Sequence, residues 1–456
     1  MNINQEALHR AELMQASREE FGASSEFTEL SLAERYQREF GDHWRYVAAW
    51  GRWLKWSGSH WVVDDTRQAF DNARKVCKSA ASALPSEMAK RFARAQTVAA
   101  VERLAQAVRT FASTADQWDT DRWKLNTPSG EVDLRTGRLS PNYPSSYCTK
   151  LTAVAPGGEC KRWLTFLEEV TAGDHEMVGY LKKIVGMMLT GDVTEHALFF
   201  VWGPGGNGKS VFLNTIESIL GSYSCRAPME AFTESKSERH PTELAGLRGA
   251  RMVSAIETEE GRRWAESKIK ALTGGDPITA RFMRQDFFTY RPQFKLIVVG
   301  NHKPTLRNVD DAMRRRLHMI PFTNRPRRVD RQLESKLQAE LGGILSWAIN
   351  GCLEWQKTGL CQPKSVRQAT KEYFDAEDSF GNWLSERIAP SVNAFEKTTV
   401  LFADWEIWAD RNGSDRGDIK RFVANLEARG FSRSTYWKTV DGKRTKQKGF
   451  TGLGFR

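Results

Sequence analysis

The feature that most restricts the fold is an octapeptide between two regular segments. It reads Gly203-Pro204-Gly205-Gly206-Asn207-Gly208-Lys209-Ser210 and matches G-x-x-x-x-G-K-[ST]. The apolar run Ala197–Trp202 precedes it as a buried strand. The segment Ser210–Leu220 follows as a helix, with apolar positions at Val211, Leu213, Ile216 and Ile219. Four glycines let the backbone wrap a phosphate with its N–H groups facing inward. The helix N-terminus adds positive potential. Lys209 is then placed for β- and γ-phosphates, and the Ser210 hydroxyl for Mg²⁺. The stretch Gly203 to Val211 is therefore the expected nucleotide site, with ATP and Mg²⁺ as its ligands. The plainer alternative is a glycine turn followed by a chance Lys-Ser. A strand on one side and a helix on the other argue against it.

A phosphate loop of this kind needs an acid for metal and water. The next buried-strand candidate, RMVSAIETEE, ends at Glu257, with Glu259 two residues on. One carboxylate would hold Mg²⁺ and the other could orient the attacking water, so Glu257 is the expected metal acid and Glu259 a helper. The third apolar run, FKLIVVG, ends at Asn301, whose amide could position the water or sense the γ-phosphate. Then DDAMRRRLHMIPF sets three arginines, Arg314 to Arg316, before a short apolar strand. An arginine reaching a neighbouring subunit's phosphate stabilises transition-state charge; the alternative is a basic surface turn. Between Glu257 and Asn301, ITARFM and FFTYRP read as two strands joined by Arg284-Gln285-Asp286. A hairpin with Arg284 and Gln285 at its tip and aromatics behind could grip a nucleic-acid backbone.

Apolar runs alternating with helical segments indicate a parallel sheet with helices on both faces. This α/β core is expected over residues 156–345. Residues 1–155 read as an α+β region, with Trp53, Trp56 and Trp61 around a Gly58 turn as a short hairpin. Residues 346–456 read as a C-terminal module that is helical and then basic, ending as helix, helix and hairpin. The 456 residues carry a net charge of +11, which favours a polyanionic partner. Its location says more: from Arg411 to Arg456 there are twelve Lys or Arg against four Asp or Glu. The six cysteines are scattered without a CxxC pair, so no zinc ribbon or disulfide framework is suggested. No apolar run reaches the ~18–20 residues of a membrane span, and the first twenty residues lack an apolar leader core. The expected compartment is the cytoplasm, that of a bacterial host.

In order along the chain, GPGGNGKS, ETEEGRRWAESKIKALTGGDPITARF, FKLIVVGNHKP and MRRRLHMIPF resemble the superfamily 3 helicases. The likeness is to the helicase portion of phage- and plasmid-type primase-helicases and of the poxvirus primase-helicase family, over most of residues 195–325. WLKWSGSHW resembles the region ahead of the motor in that family. KEYFDAEDSFGNWL through YWKTVDGKRTKQKGFTGLGF resembles its C-terminal winged-helix-like module. The resemblance implies an AAA+-like P-loop ATPase core acting as a ring, commonly a hexamer, with ATP-driven 3′-to-5′ movement on single-stranded DNA and action on forked DNA. It also implies Lys209 and Ser210 as phosphate and Mg²⁺ residues, Glu257 as the Walker B acid, Asn301 as the sensor, Arg315 or Arg316 as the arginine finger, and Arg284 on the DNA hairpin. Helicases of other superfamily 3 branches often pair two acids on the Walker B strand; here Ile256 precedes Glu257, which leaves the second carboxylate open. About 40 residues precede the tryptophan stretch, fewer than a polymerase domain needs, so a primase or polymerase is expected on a separate protein. The leading expectation is a replicative helicase of a phage, prophage, plasmid or satellite element. The alternatives are a DNA–protein remodelling motor without processive unwinding and an origin-binding or loading ATPase.

Overall fold

The computed structural model describes residues 28–82, 84–234, 242–257, 259–283, 286–307, 309–326, 329–440 and 443–456. At its centre lies a five-stranded sheet: β1 (Leu198–Trp202), β2 (Ser224–Arg226), β3 (Met252–Glu257), β4 (Lys295–Gly300) and β5 (Leu317–Pro321). In space the strands run β5-β1-β4-β3-β2, and every pairing is parallel. The near-continuous apolar runs follow from burial on both faces. Alternate residues of each strand feed opposite cores, as the two-residue period requires. Phe199, Val201, Ile297 and Val299 join one core, and Leu198, Phe200, Leu296 and Val298 the other.

The first core is closed by α1 (Lys161–Val170), α2 (His175–Met188), α3 (Lys209–Leu220) and α6 (Leu341–Thr358). The second takes α4 (Glu266–Gly274), α5 (Asp311–Arg316) and α7 (Lys364–Glu377). Helices α6 and α7 thus belong to the central body, although they follow residue 345. The next separate core begins at Phe380. Likewise Leu125 and Val132, on short strands expected in the N-terminal region, and Leu134 in the turn after them pack into the first central core.

Close approach of α2 and α6 rests on two glycines. A Cβ on Gly186 would lie 2.1 Å from the Cys352 backbone nitrogen, and one on Gly351 would lie 2.1 Å from the Lys182 carbonyl oxygen. Gly186→Ala should therefore destabilise the protein by about 1–3 kcal/mol, despite the ~1 kcal/mol that alanine gains in helix propensity. A lower denaturant midpoint checks this; an unchanged midpoint would mean that the helices separate there without cost.

Ahead of the central body, α-helices Glu29–Phe40, Gln68–Ala81 and Ala95–Ala105 pack on a small sheet. In that sheet the strands Arg52–Trp56 and Trp61–Val63 form the expected tryptophan hairpin, with Trp56 opposite Trp61. After the central body the order is helix Ser379–Arg387, strand Ile388–Lys397, helices Thr398–Arg411 and Ile419–Ala428, and strands Ser432–Val440 and Lys443–Phe455. The last strand lies between the other two, antiparallel to both. Trp383, Leu401, Phe422, Leu426, Phe450 and Leu453 fill this module's core. Its first helix and first strand precede the helix, helix and hairpin read from the sequence. Among the described residues no helix is long and apolar enough to cross a membrane.

Candidate functional site

Register collects the candidate residues at one end of the sheet. Glu257 pairs with Gly300, Gly300 with Trp202, and Trp202 with Pro321. The four positions form a row across the carboxyl ends of adjacent parallel strands, the edge where open α/β sheets hold ligands. Gly203 follows Trp202 and Asn301 follows Gly300. The glycine loop and Asn301 therefore leave the sheet side by side, with Glu257 on the next strand.

The loop has the backbone its glycines permit. Gly205, Gly206 and Gly208 have φ of 92°, 66° and 83°, values that favour residues without a Cβ. A Cβ on Gly203 would stand 2.0 Å from both Asn207 Nδ2 and the Phe322 carbonyl oxygen. The Asn207 amide donates to that carbonyl, fastening the loop to the chain leaving β5. Lys209 opens α3 and is only 6% exposed. Its Nζ donates to the Gly203 carbonyl at 2.8 Å and to Asn207 Oδ1 at 2.9 Å. Desolvation lowers its pKa from the usual lysine value. Ser210 and Pro204 are exposed, and Val211 is half-buried.

Glu257 is 4% exposed, and its Oε1 accepts the Glu259 backbone N–H at 2.7 Å. Gly300 leaves room for it: a Cβ there would meet Glu257 Cβ at 2.7 Å. The Glu259 carboxylate turns elsewhere, to Arg262, whose guanidinium also reaches Glu230 at 3.0 Å. Thus Glu259 supports Glu257 through its backbone, while its side chain is engaged in an ion pair. Asn301 is exposed beside this acid.

The three arginines separate by their surroundings. Arg314 lies 5.0 Å over the Phe374 ring. Arg316 donates to Thr273 Oγ1 at 3.2 Å and to the Ala312 carbonyl at 2.9 Å. Arg315 is exposed and reaches only the Asp311 carbonyl of its own helix, at 3.3 Å, among the contacts described. The hairpin is present as Ile278–Ala280 antiparallel to Phe288–Tyr290. Arg284 and Gln285 lie outside the described residues. Around them Phe282, Met283 and Phe287 are exposed by 41%, 69% and 57%, and the Arg281 guanidinium sits 4.6 Å over Phe287.

Two participants escaped the sequence reading. Arg325 donates from Nε to the Gly205 carbonyl at 3.0 Å and from its terminal nitrogen to that of Pro204 at 3.2 Å. Lys303 Nζ lies 3.6 Å over the Trp202 ring, and burial lowers its pKa. The only signal for Arg325 was its place just after the last core strand.

Two family models match the chain: D5 N terminal like over residues 33–172, and a family of unknown function, DUF5906, over 201–316. Among curated proteins, ones bearing the name "Putative helicase" are similar. That of Acanthamoeba polyphaga mimivirus is 26% identical over 67% of this chain and 35% of the relative. That of Frog virus 3 (isolate Goorha) is 24% identical over 69% and 33%, and that of Invertebrate iridescent virus 6 is 28% identical over 68% and 37%. The matches thus span about a third of the length of these relatives. Among solved structures, the apo C-terminal region of NrS-1 superposes with a TM-score of 0.50 and 10% identity, over 92% of this chain and 98% of that one. At that identity the likeness is one of fold.

Proposed function

We propose that this chain is an ATP-driven DNA helicase with an AAA+-like P-loop motor, of the primase-helicase type within helicase superfamily 3; the D5 N terminal like match and the similarity to putative helicases support this reading. The observation that carries the proposal is the row Glu257–Gly300–Trp202. It sets a carboxylate, an amide and a glycine loop with a lysine at the same edge of three adjacent strands. Gly203, Pro204, Gly205, Gly206, Asn207, Gly208 and Val211 surround the nucleotide. Lys209 exchanges its two internal acceptors for β- and γ-phosphate oxygens. The loop fits a phosphate: it is lined by backbone, and side chains at Gly203 or Gly208 would collide with Asn207 or with Phe166 and Val170.

Ser210 and Glu257 would hold Mg²⁺, which would neutralise phosphate charge. Asn301 orients water or senses the γ-phosphate, and Arg315 reaches the neighbouring subunit of a ring, as in a hexamer. Arg325 braces the loop carbonyls. The Phe282–Phe287 tip, with Arg284 and Gln285, grips single-stranded DNA during 3′-to-5′ movement. The order helix, strand, two helices and two strands supports reading the C-terminal module as winged-helix-like, and we assign it to forked DNA. A phage, prophage, plasmid or satellite replicon, with a primase or polymerase acting alongside, is the setting we propose.

Strand displacement on a forked substrate tests this reading, with single-stranded DNA added to the ATPase assay. The expected result is displacement that requires ATP and hydrolysis stimulated by the single strand. Stimulation without displacement would favour a remodelling motor. Hydrolysis indifferent to DNA would favour a loading ATPase.

A further inference from the structure

We propose that the C-terminal module engages DNA through its terminal hairpin, with Trp437 stacking on a base of an unpaired strand, and not through its helix Ile419–Ala428. The inference rests on the reading of that module as DNA-binding. In helix-turn-helix domains the second helix enters the major groove by its N-terminal residues. Here that end is occupied. Arg421 donates to Asp415 at 2.9 Å and to the Arg307 carbonyl of the central body at 2.7 Å. Arg307 itself reaches Asp415 at 3.2 Å. This cluster turns the helix start toward the motor, a few residues beyond Asn301. The helix's exposed residues are Ile419, Lys420, Ala424, Glu427 and Ala428. They carry one charge of each sign and offer phosphates little.

The hairpin has the opposite composition. Residues 432–456 contain seven Lys or Arg and one acid, Asp441. Register sorts part of this set onto one face, because directly paired residues of antiparallel strands share a face. Arg433, Thr435 and Trp437 pair with Phe450, Lys448 and Lys446. Lys446 Nζ lies 5.9 Å over the Trp437 ring, which places the two on the same side. The indole is 50% exposed, and Lys446 and Lys448 on the adjacent strand are exposed as well, whereas Arg433, four residues along and opposite the buried Phe450, is paired with Glu427 at 2.8 Å. A wide aromatic surface framed by cations suits a base with its phosphates. A stacked duplex interior offers its base faces to no side chain, so the indole selects an unpaired strand.

The full chain is assayed by fluorescence anisotropy on an oligo-dT strand, a fork with single-stranded arms and a blunt duplex, across a salt series. ATP turnover without DNA reports an intact fold. Trp437→Ala should weaken binding to the strand and the fork by about tenfold, with little change on the blunt duplex, and Trp437→Phe should restore most of it. Lys446→Glu with Lys448→Glu should weaken strand binding and lower the salt slope by about 1.4. Lys420→Glu on the helix should leave binding unchanged. If Lys420→Glu alone weakens binding, the hairpin assignment is overturned while a DNA-binding module stands. If all variants bind like the parent, both readings fall. Equal losses on all three substrates for Trp437→Ala would overturn the stacking role.

Discussion

Replacing Lys209 with Ala is expected to stop ATP hydrolysis, by on the order of 10²–10³ or more, the loss seen when one donor to transition-state charge is removed. The loop should survive the change. Asn207 still binds the Phe322 carbonyl, and Arg325 still holds the carbonyls of Gly205 and Pro204. Nucleotide affinity should fall much less than turnover, because the backbone cradle remains. Glu257→Gln gives the complementary loss. The glutamine retains an acceptor for the Glu259 N–H, so the strand end keeps its shape while the carboxylate charge is gone. Turnover should collapse with binding of a fluorescent ATP analogue preserved. Steady-state hydrolysis and equilibrium binding, measured on both variants with thermal melts alongside, separate these effects. Near-parental turnover by Lys209→Ala would remove this loop as the engine.

How much of this was visible beforehand depended on whether the determinant was local. The glycine loop and the strand ending at Glu257 declare themselves within a dozen residues, because glycine content and apolar runs are local consequences of phosphate approach and two-sided burial. The packing of α6 and α7 into the central body was not legible, because both helices are fixed by distant partners. Gly351 of α6 is small so that Lys182 can pass, and Tyr373 of α7 accepts from the Trp264 indole at 3.2 Å. Neither relation is written in neighbouring residues. The strand Ile388–Lys397 was unread for a similar reason. It contains Pro390, and its register with Lys443–Phe455 shifts between Ser391 and Phe395, so alternation fails along it. Glu259 shows a different limit. Spacing placed it near Glu257, but the choice of Arg262 as its partner depends on how the turn closes. The basic C-terminal end was plain from charge alone, whereas the division between an almost neutral helix and a cationic hairpin required the register.

Arg315 was inseparable from Arg316 in sequence, since successive helical residues point about 100° apart and only packing decides which faces out. With Arg314 over Phe374 and Arg316 bound to Thr273, the proposed ring assigns the exposed Arg315, which bonds only the Asp311 carbonyl of its own helix among the described contacts, to a neighbouring subunit. Arg315→Ala should therefore cut hydrolysis by about 10³-fold or more, with nucleotide binding and thermal stability unchanged. Arg316→Ala should lower the melting temperature, because it leaves Thr273 and the Ala312 carbonyl without that donor. Mixing makes the test sharper. A Lys209→Ala subunit still donates Arg315, and an Arg315→Ala subunit still has an intact phosphate loop. Where the two meet in the right order, a complete site forms again, so hydrolysis should rise above either variant alone once subunits exchange. Energy transfer between labelled subunits reports the exchange independently. If exchange is complete and no activity returns, Arg315 does not act across an interface. If Arg315→Ala hydrolyses ATP at the parental rate, the three arginines are a basic turn and the transition-state charge is met elsewhere. Turnover per subunit that is independent of protein concentration, in a particle of monomer size, would remove the ring itself.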